Sequence, residues 1–153
     1  VKLKREGAFL IARINQAAGR IFANILREHK IGHITPAQGR ILFVLWRKDN
    51  IPIQQLAKET SLSKSTLTAM LDGLERAGHI KRIRSKSDRR EVLIKLTEKD
   101  HNLMDTYAKV SEEMTDIVCR GLSEEELDDL EDKLRKILDN LISCEAEMKQ
   151  NSK

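Results

Sequence analysis

Five ionic side chains crowd a stretch that has almost nothing to bury: Arg84, Lys86, Asp88, Arg89 and Arg90. Arginine side chains suit the narrow minor groove of a duplex, where negative potential is concentrated. An aspartate fits among them when it pairs with a neighbouring arginine and fixes its direction. Some twenty residues earlier, Ser63, Lys64, Ser65, Thr66 and Thr68 place short polar donors at the start of a helical pattern. An α-helix fits the major groove, and such side chains there can reach base edges and phosphates. The free N–H groups and partial positive charge of a helix N-terminus also favour phosphate. Taken singly, the first feature also fits a solvated charged turn and the second a plain helical corner. Their succession along the chain points to an anion, and specifically to nucleic acid.

The elements that must position these groups can be read from spacing. Residues 53–74 fit a helix-turn-helix, with Ala57 at the crossing and Leu56, Leu62, Leu67 and Met70 holding the corner. The first of its helices covers about 53–59. The second begins at Ser63, which can cap the N–H of Thr66, and stops at Gly78. Strands at 80–84 and 91–96 follow, the latter alternating Val92, Ile94 and Leu96 with Leu93 and Lys95, so residues 85–90 become a hairpin tip. Upstream, Leu10, Ile14, Ala17, Ile21, Phe22 and Ile25 recur at helical steps over residues 8–30, with Gly32 and His33 as the stop. Thr35, Pro36 and Gln38 open a second helix with a capping box, ending near Asp49, and Ile51-Pro52 restart the chain in extended form. Downstream, Thr97 is expected to cap a helix running to about Arg120, and Gly121 breaks it. Ser123 and Glu126 open a last helix with Leu127, Leu130, Leu134, Ile137 and Leu141 on one stripe. These two read as an antiparallel helical hairpin.

A length of 153 residues fits a single domain with a real core, and 40% hydrophobic with 34% charged residues fits an ordered helical protein. Charge is unevenly spread. Residues 35–96 hold thirteen Lys/Arg against six Asp/Glu, whereas residues 97–153 hold eight against sixteen. The basic middle suits an anionic partner. Cys119 and Cys144 stand far apart and outside any C-x-x-C pattern, which predicts free thiols in a reducing compartment. No signal-peptide pattern or membrane-length apolar run occurs, so a cytoplasmic protein with no membrane contact is expected. Catalysis finds no support: there is no Gly-rich phosphate loop, H-E-x-x-H or nucleophile elbow, and no cofactor is expected.

Thr35-Pro36-Ala37-Gln38, Gln55-Leu56-Ala57, the run from Ser63 to Thr68, the run from Leu71 to Gly78, Asp88-Arg89-Arg90 and the run from Ile94 to Lys99 together resemble the MarR family of transcriptional regulators. The resemblance spans nearly the whole chain. It implies a mainly α fold with a small β-hairpin wing, in which a winged helix-turn-helix over 35–96 is flanked by dimerisation helices over 1–34 and 97–153. It further implies a homodimer on a pseudo-palindromic operator in double-stranded DNA, acting as a repressor. Arg90 becomes the minor-groove residue, oriented by Asp88, and residues 63–68 lie in the major groove. Ala69 and Gly73 depart from the pattern, occupying outward positions where relatives carry larger polar side chains.

The resemblance also implies a small aromatic or anionic effector held where the dimerisation helices meet the winged helix, with Arg20, Phe22, His33, Phe43 and Tyr107 as candidates. A thiolate peroxide sensor in the first helix is unsupported, since no cysteine precedes Cys119. Two alternatives stay open. Glu28, His29 and His33, or His101 with Asp105, could serve a zinc-responsive regulator of the same fold. A protein-interaction scaffold could use the winged helix without DNA.

Overall fold

The computed structural model describes residues 4–152, apart from the side chain of His101. Six α-helices and a small sheet follow in the order α1 (Gly7–Glu28), α2 (Pro36–Arg47), β1 (Ile51–Pro52), α3 (Ile53–Thr60), α4 (Lys64–Arg76), β2 (Ile80–Arg84), β3 (Val92–Leu96), α5 (His101–Cys119) and α6 (Glu124–Asn151). The chain divides into two units, residues up to Met114 and those from Thr115 onward.

In the first unit, local signals set the helix starts. Thr35 accepts from the Gln38 amide at 3.1 Å, while the Gln38 side chain accepts from the Thr35 amide at 3.0 Å, with Pro36 in the first turn. Each satisfied end group of this kind is worth about 1 kcal/mol. The core is then built from the inward faces of α2, α3 and α4. Ile41, Leu42, Leu45, Leu56, Leu67, Leu71 and Leu74 are fully buried together with Ile51, Ile80 and Ile94 from the sheet. Full burial of each such side chain contributes roughly 1.5–3 kcal/mol. Leu26 of α1 and Leu103, Tyr107 and Val110 of α5 join the same core. Gly39 permits the approach of α5 to α2: a Cβ there would stand 2.2 Å from the Tyr107 hydroxyl.

Several expectations are corrected. The first helix stops at Glu28, and Lys30, rather than Gly32, takes the left-handed conformation with φ 62°. The amides of Lys30 and Ile31 then close the helix on the carbonyls of Arg27 and Leu26. The sheet has three strands in the order β1-β3-β2, because Ile51 and Pro52 pair with Ile94 and Leu93. Proline fits such an edge position, where its missing N–H breaks no ladder bond. Thr97 does not cap α5: its hydroxyl donates to the Gly78 carbonyl at 2.5 Å, and a 3-10 turn over Glu98–Asp100 precedes α5.

The second unit holds the end of α5 and all of α6. Gly121, with φ 84°, makes the break between them. Ser123 and Glu126 form the expected capping box, and Glu124, Glu125 and Glu126 place negative charge at the positive end of α6. The helix buries none of its own residues. Leu130, Leu134, Ile137, Leu138, Leu141 and Ile142 stay more than two-fifths exposed, while Lys133 and Arg135 form ion pairs with Asp129, Glu131 and Asp132. Among the described residues, no helix is long and apolar enough to cross a membrane.

Candidate nucleic-acid interface

Helix α4 begins as its sequence dictates. Ser63 Oγ accepts from the Thr66 amide at 3.3 Å and donates to Thr66 Oγ1 at 2.9 Å. Ser65 Oγ lies 3.4 Å from Ser63 Oγ, and Thr68 Oγ1 donates to the Lys64 carbonyl at 2.9 Å. Ser63, Lys64, Ser65, Thr66, Thr68 and Ala69 are all exposed, while Leu67, Leu71 and Leu74 bury the opposite face. The turn before α4 is held by Thr60, whose hydroxyl donates to the Leu56 carbonyl at 2.7 Å, and by Ser61 in the left-handed region. Gly73 does not point outward as expected. A Cβ there would lie 2.8 Å from Gln38 Nε2, so this position faces α2.

The helix ends by handing the chain to the wing. Gly78 takes φ 80°, its amide donates to the Glu75 carbonyl, and the His79 amide donates to the Leu74 carbonyl at 2.9 Å. Strands β2 and β3 then pair from Ile80↔Leu96 to Arg84↔Val92. At the tip, the buried Ser85 hydroxyl accepts from the amides of Ser87 and Asp88 at 3.3 Å each. Asp88 Oδ1 accepts from the Arg90 backbone amide at 2.9 Å. Asp88 therefore shapes the backbone of the tip and, among the described residues, pairs with no arginine side chain, which corrects the expected guanidinium contact. Arg84, Lys86, Arg89 and Arg90 are exposed, and among the described residues none of them forms an ion pair. Against the two carboxylates of Asp88 and Glu91 these four cations leave the hairpin net positive, which favours an anion placed against it.

Arg82 is the residue that sequence reasoning missed. Its guanidinium reaches Asp72 and Glu75 of α4 at 2.7 Å each, and its backbone amide donates to Glu75 at 3.1 Å. This two-carboxylate clamp joins strand β2 to the helix of short polar groups. Asp72 and Glu75, an acidic pair three residues apart ahead of a basic strand, were the available signal.

Beneath the helix-to-wing joint lies a buried polar cluster. His79 Nδ1 stands 3.3 Å from Asp100 Oδ1, and the Trp46 indole donates to the other Asp100 oxygen. Burial pushes the His79 pKa below the usual 6.5, against the opposing pull of Asp100. His33 stacks on this ring with centroids 5.7 Å apart.

A cavity of about 340 Å³ opens between α1, α2 and α5, lined by Asn15, Phe22, Arg40, Phe43, Tyr107 and Met114 among others. Phe22 meets Tyr107 edge-on at 5.7 Å, and Trp46 packs on it at 5.0 Å. Burial raises the Tyr107 pKa to about 12, with Arg40 pulling the other way. Three expected effector residues thus meet here, but Arg20 and His33 do not line the cavity, and Arg40 is its cation. As for zinc, His29 Nε2 is bonded to Glu113 at 3.0 Å, and among the described residues no three His, Cys, Asp or Glu side chains gather. The side chain of His101 lies outside the described residues.

The sequence pattern of the MarR family matches residues 34–92. Over 149 residues the chain is 30% identical to the HTH-type transcriptional regulator TtmR of Methylorubrum extorquens (strain PA1), which covers 95% of this chain and 69% of that protein. A MarR mutant from E. coli, solved in complex with operator DNA, matches with a TM-score of 0.75 at 29% identity, over 86% of this chain and 92% of that one. The PcaV transcriptional regulator from Streptomyces coelicolor, solved with its natural ligand, gives a TM-score of 0.78 over 91% of this chain and 96% of that one. Its identity is 20%, so that likeness shows the fold alone.

Proposed function

The chain belongs to the MarR family of transcriptional regulators, and on that premise we propose that it is a homodimeric repressor that grips a pseudo-palindromic operator and lets go when a small effector binds. The observation that carries this reading is the wing: Arg84, Lys86, Arg89 and Arg90 have no neutralising partner among the described residues, and Arg82 clamps their hairpin to α4. In this reading residues 63–68 enter the major groove, and Arg90 enters the adjacent minor groove. The region 35–96 reads DNA, and the helices of 1–34 and 97–153 join two copies. Exposed apolar stripes support the pairing: Phe9 and Ile14 on α1 and Leu134 and Leu141 on α6 are each more than two-fifths exposed. The relative solved with operator DNA supports the ligand class.

The effector reading rests on the cavity beside Arg40. An aromatic face against Phe22, Phe43 and Tyr107, with a carboxylate toward Arg40, matches the chemistry of its walls. Such a ligand releases DNA only by preferring the conformer unfit for the operator.

One titration tests both halves. A fluorescent duplex carrying the operator should lose affinity steeply with salt, by about 10³–10⁵ between roughly 50 and 200 mM for six to ten phosphate contacts. Benzoate added at fixed salt should release the duplex from the parent protein but not from Arg40→Ala. Binding that ignores salt would overturn the DNA reading, and equal release from both proteins would overturn the placement of the effector.

A further inference from the structure

The wing leaves the body of the protein at Arg82. Strand β2 lies at the edge of the sheet, since β3 stands between it and β1. An edge strand presents unpaired backbone groups on its free side. Here the Arg82 amide donates to Glu75 Oε2 at 3.1 Å, and its guanidinium donates to Glu75 Oε1 and Asp72 Oδ1 at 2.7 Å each. The backbone and the side chain of one strand residue are thus both tied to α4. Toward the tip the support thins. Strand β1 stops at Pro52, opposite Leu93, so beyond that pair the hairpin has two strands only. Among the described residues, the side-chain hydrogen bonds of Ser85 and Asp88 stay within the tip itself. A ribbon of two strands holds its shape poorly alone.

The other end of the clamp lies on the reading helix. Ser65, Thr68, Asp72 and Glu75 follow at steps of three and four and share one exposed face of α4. Carboxylates on a strip that meets DNA repel phosphate, so charge alone does not account for Asp72 and Glu75 there. Their side chains are 51% and 41% exposed, and ion pairs so open to water add little to stability. What the paired bonds of a guanidinium do supply is direction.

Resting on the DNA-binding reading above, we infer that Arg82 is a positioning residue, whose clamp on Asp72 and Glu75 sets the angle between wing and α4 so that both enter their grooves together. Arg82 then acts through Arg90, and what Arg90 contributes to binding depends on the clamp being closed.

The test measures the affinity lost on Arg90→Ala in three backgrounds, at fixed salt, against one duplex that the protein binds. The backgrounds are the parent chain, Arg82→Gln, and the double variant Asp72→Asn with Glu75→Gln. The loss in the parent should shrink by a factor of roughly three or more in both open-clamp backgrounds, as expected of groups that act as a unit. A smaller change in either background overturns the inference and leaves DNA binding intact. The double variant separates position from charge. It makes the protein more cationic, so a purely electrostatic role predicts tighter binding with the Arg90 loss undiminished. Both variants should melt close to the parent. A variant unfolded at the temperature of the titration would make the clamp a structural tie and overturn the positioning role. No Arg90 loss in the parent itself would defeat the wing reading, and the inference with it.

Discussion

Arg90→Ala is expected to weaken operator binding at least tenfold at fixed salt while leaving the dimer and its thermal melting unchanged. Arg90 is exposed and forms no ion pair among the described residues, so its removal takes no stabilising contact from them. Its backbone amide is held by Asp88 at 2.9 Å, and this bond survives the substitution because alanine keeps the N–H. The tip keeps its shape and loses only the guanidinium. An arginine seated in a groove contributes about 1–3 kcal/mol, and a dimer loses two of them. Gel-shift titration of parent and variant against the same duplex measures the effect. Equal affinities would remove Arg90 from the interface and leave the wing as a solvated turn.

The other large effect concerns assembly. Leu134→Glu combined with Leu141→Glu should convert a dimer into a monomer in size-exclusion chromatography with light scattering, with operator affinity falling to the non-specific level. Helix α6 buries none of its residues, although its first turn is capped and charged for stability. Isolated helices draw little stability from propensity alone, so an apolar stripe this long calls for a covering surface. Two carboxylates driven into that surface cost several kcal/mol each. If the variant elutes with the parent, the stripe is covered by something other than a second copy.

What could be read in advance follows the range of the forces involved. The starts of α2, α4 and α6 were legible because Thr35 with Gln38, Ser63 with Thr66, and Ser123 with Glu126 act within one helical turn. The turn at Gly78 was legible for the same reason. Strand β1 was not recognised as a strand, since Ile51 and Pro52 become one only by pairing with Ile94 and Leu93, more than forty residues away. Thr97 misled because its hydroxyl found the Gly78 carbonyl, a partner no local rule ranks above the next helix.

The candidate site divides in the same way. Exposure of the wing cations followed from a stretch with nothing to bury, and it was read correctly. The clamp by Arg82 depends on how β2 lies against α4. The exchange of Arg20 for Arg40 in the cavity depends on which faces of α1, α2 and α5 converge. Both are tertiary facts. The sequence offers His33 to a ligand, yet it stacks on His79 over a buried aspartate that no spacing rule connects to it.

Selection of bound duplexes from a random pool tests DNA reading by a paired winged helix most directly. The expected result is enrichment of inverted half-sites whose centres lie about 34–36 Å apart, one turn of the double helix, as two symmetric reading heads require. A pool that emerges as random as it entered would contradict this. Enrichment of single, unpaired half-sites would contradict the dimer on which that spacing depends.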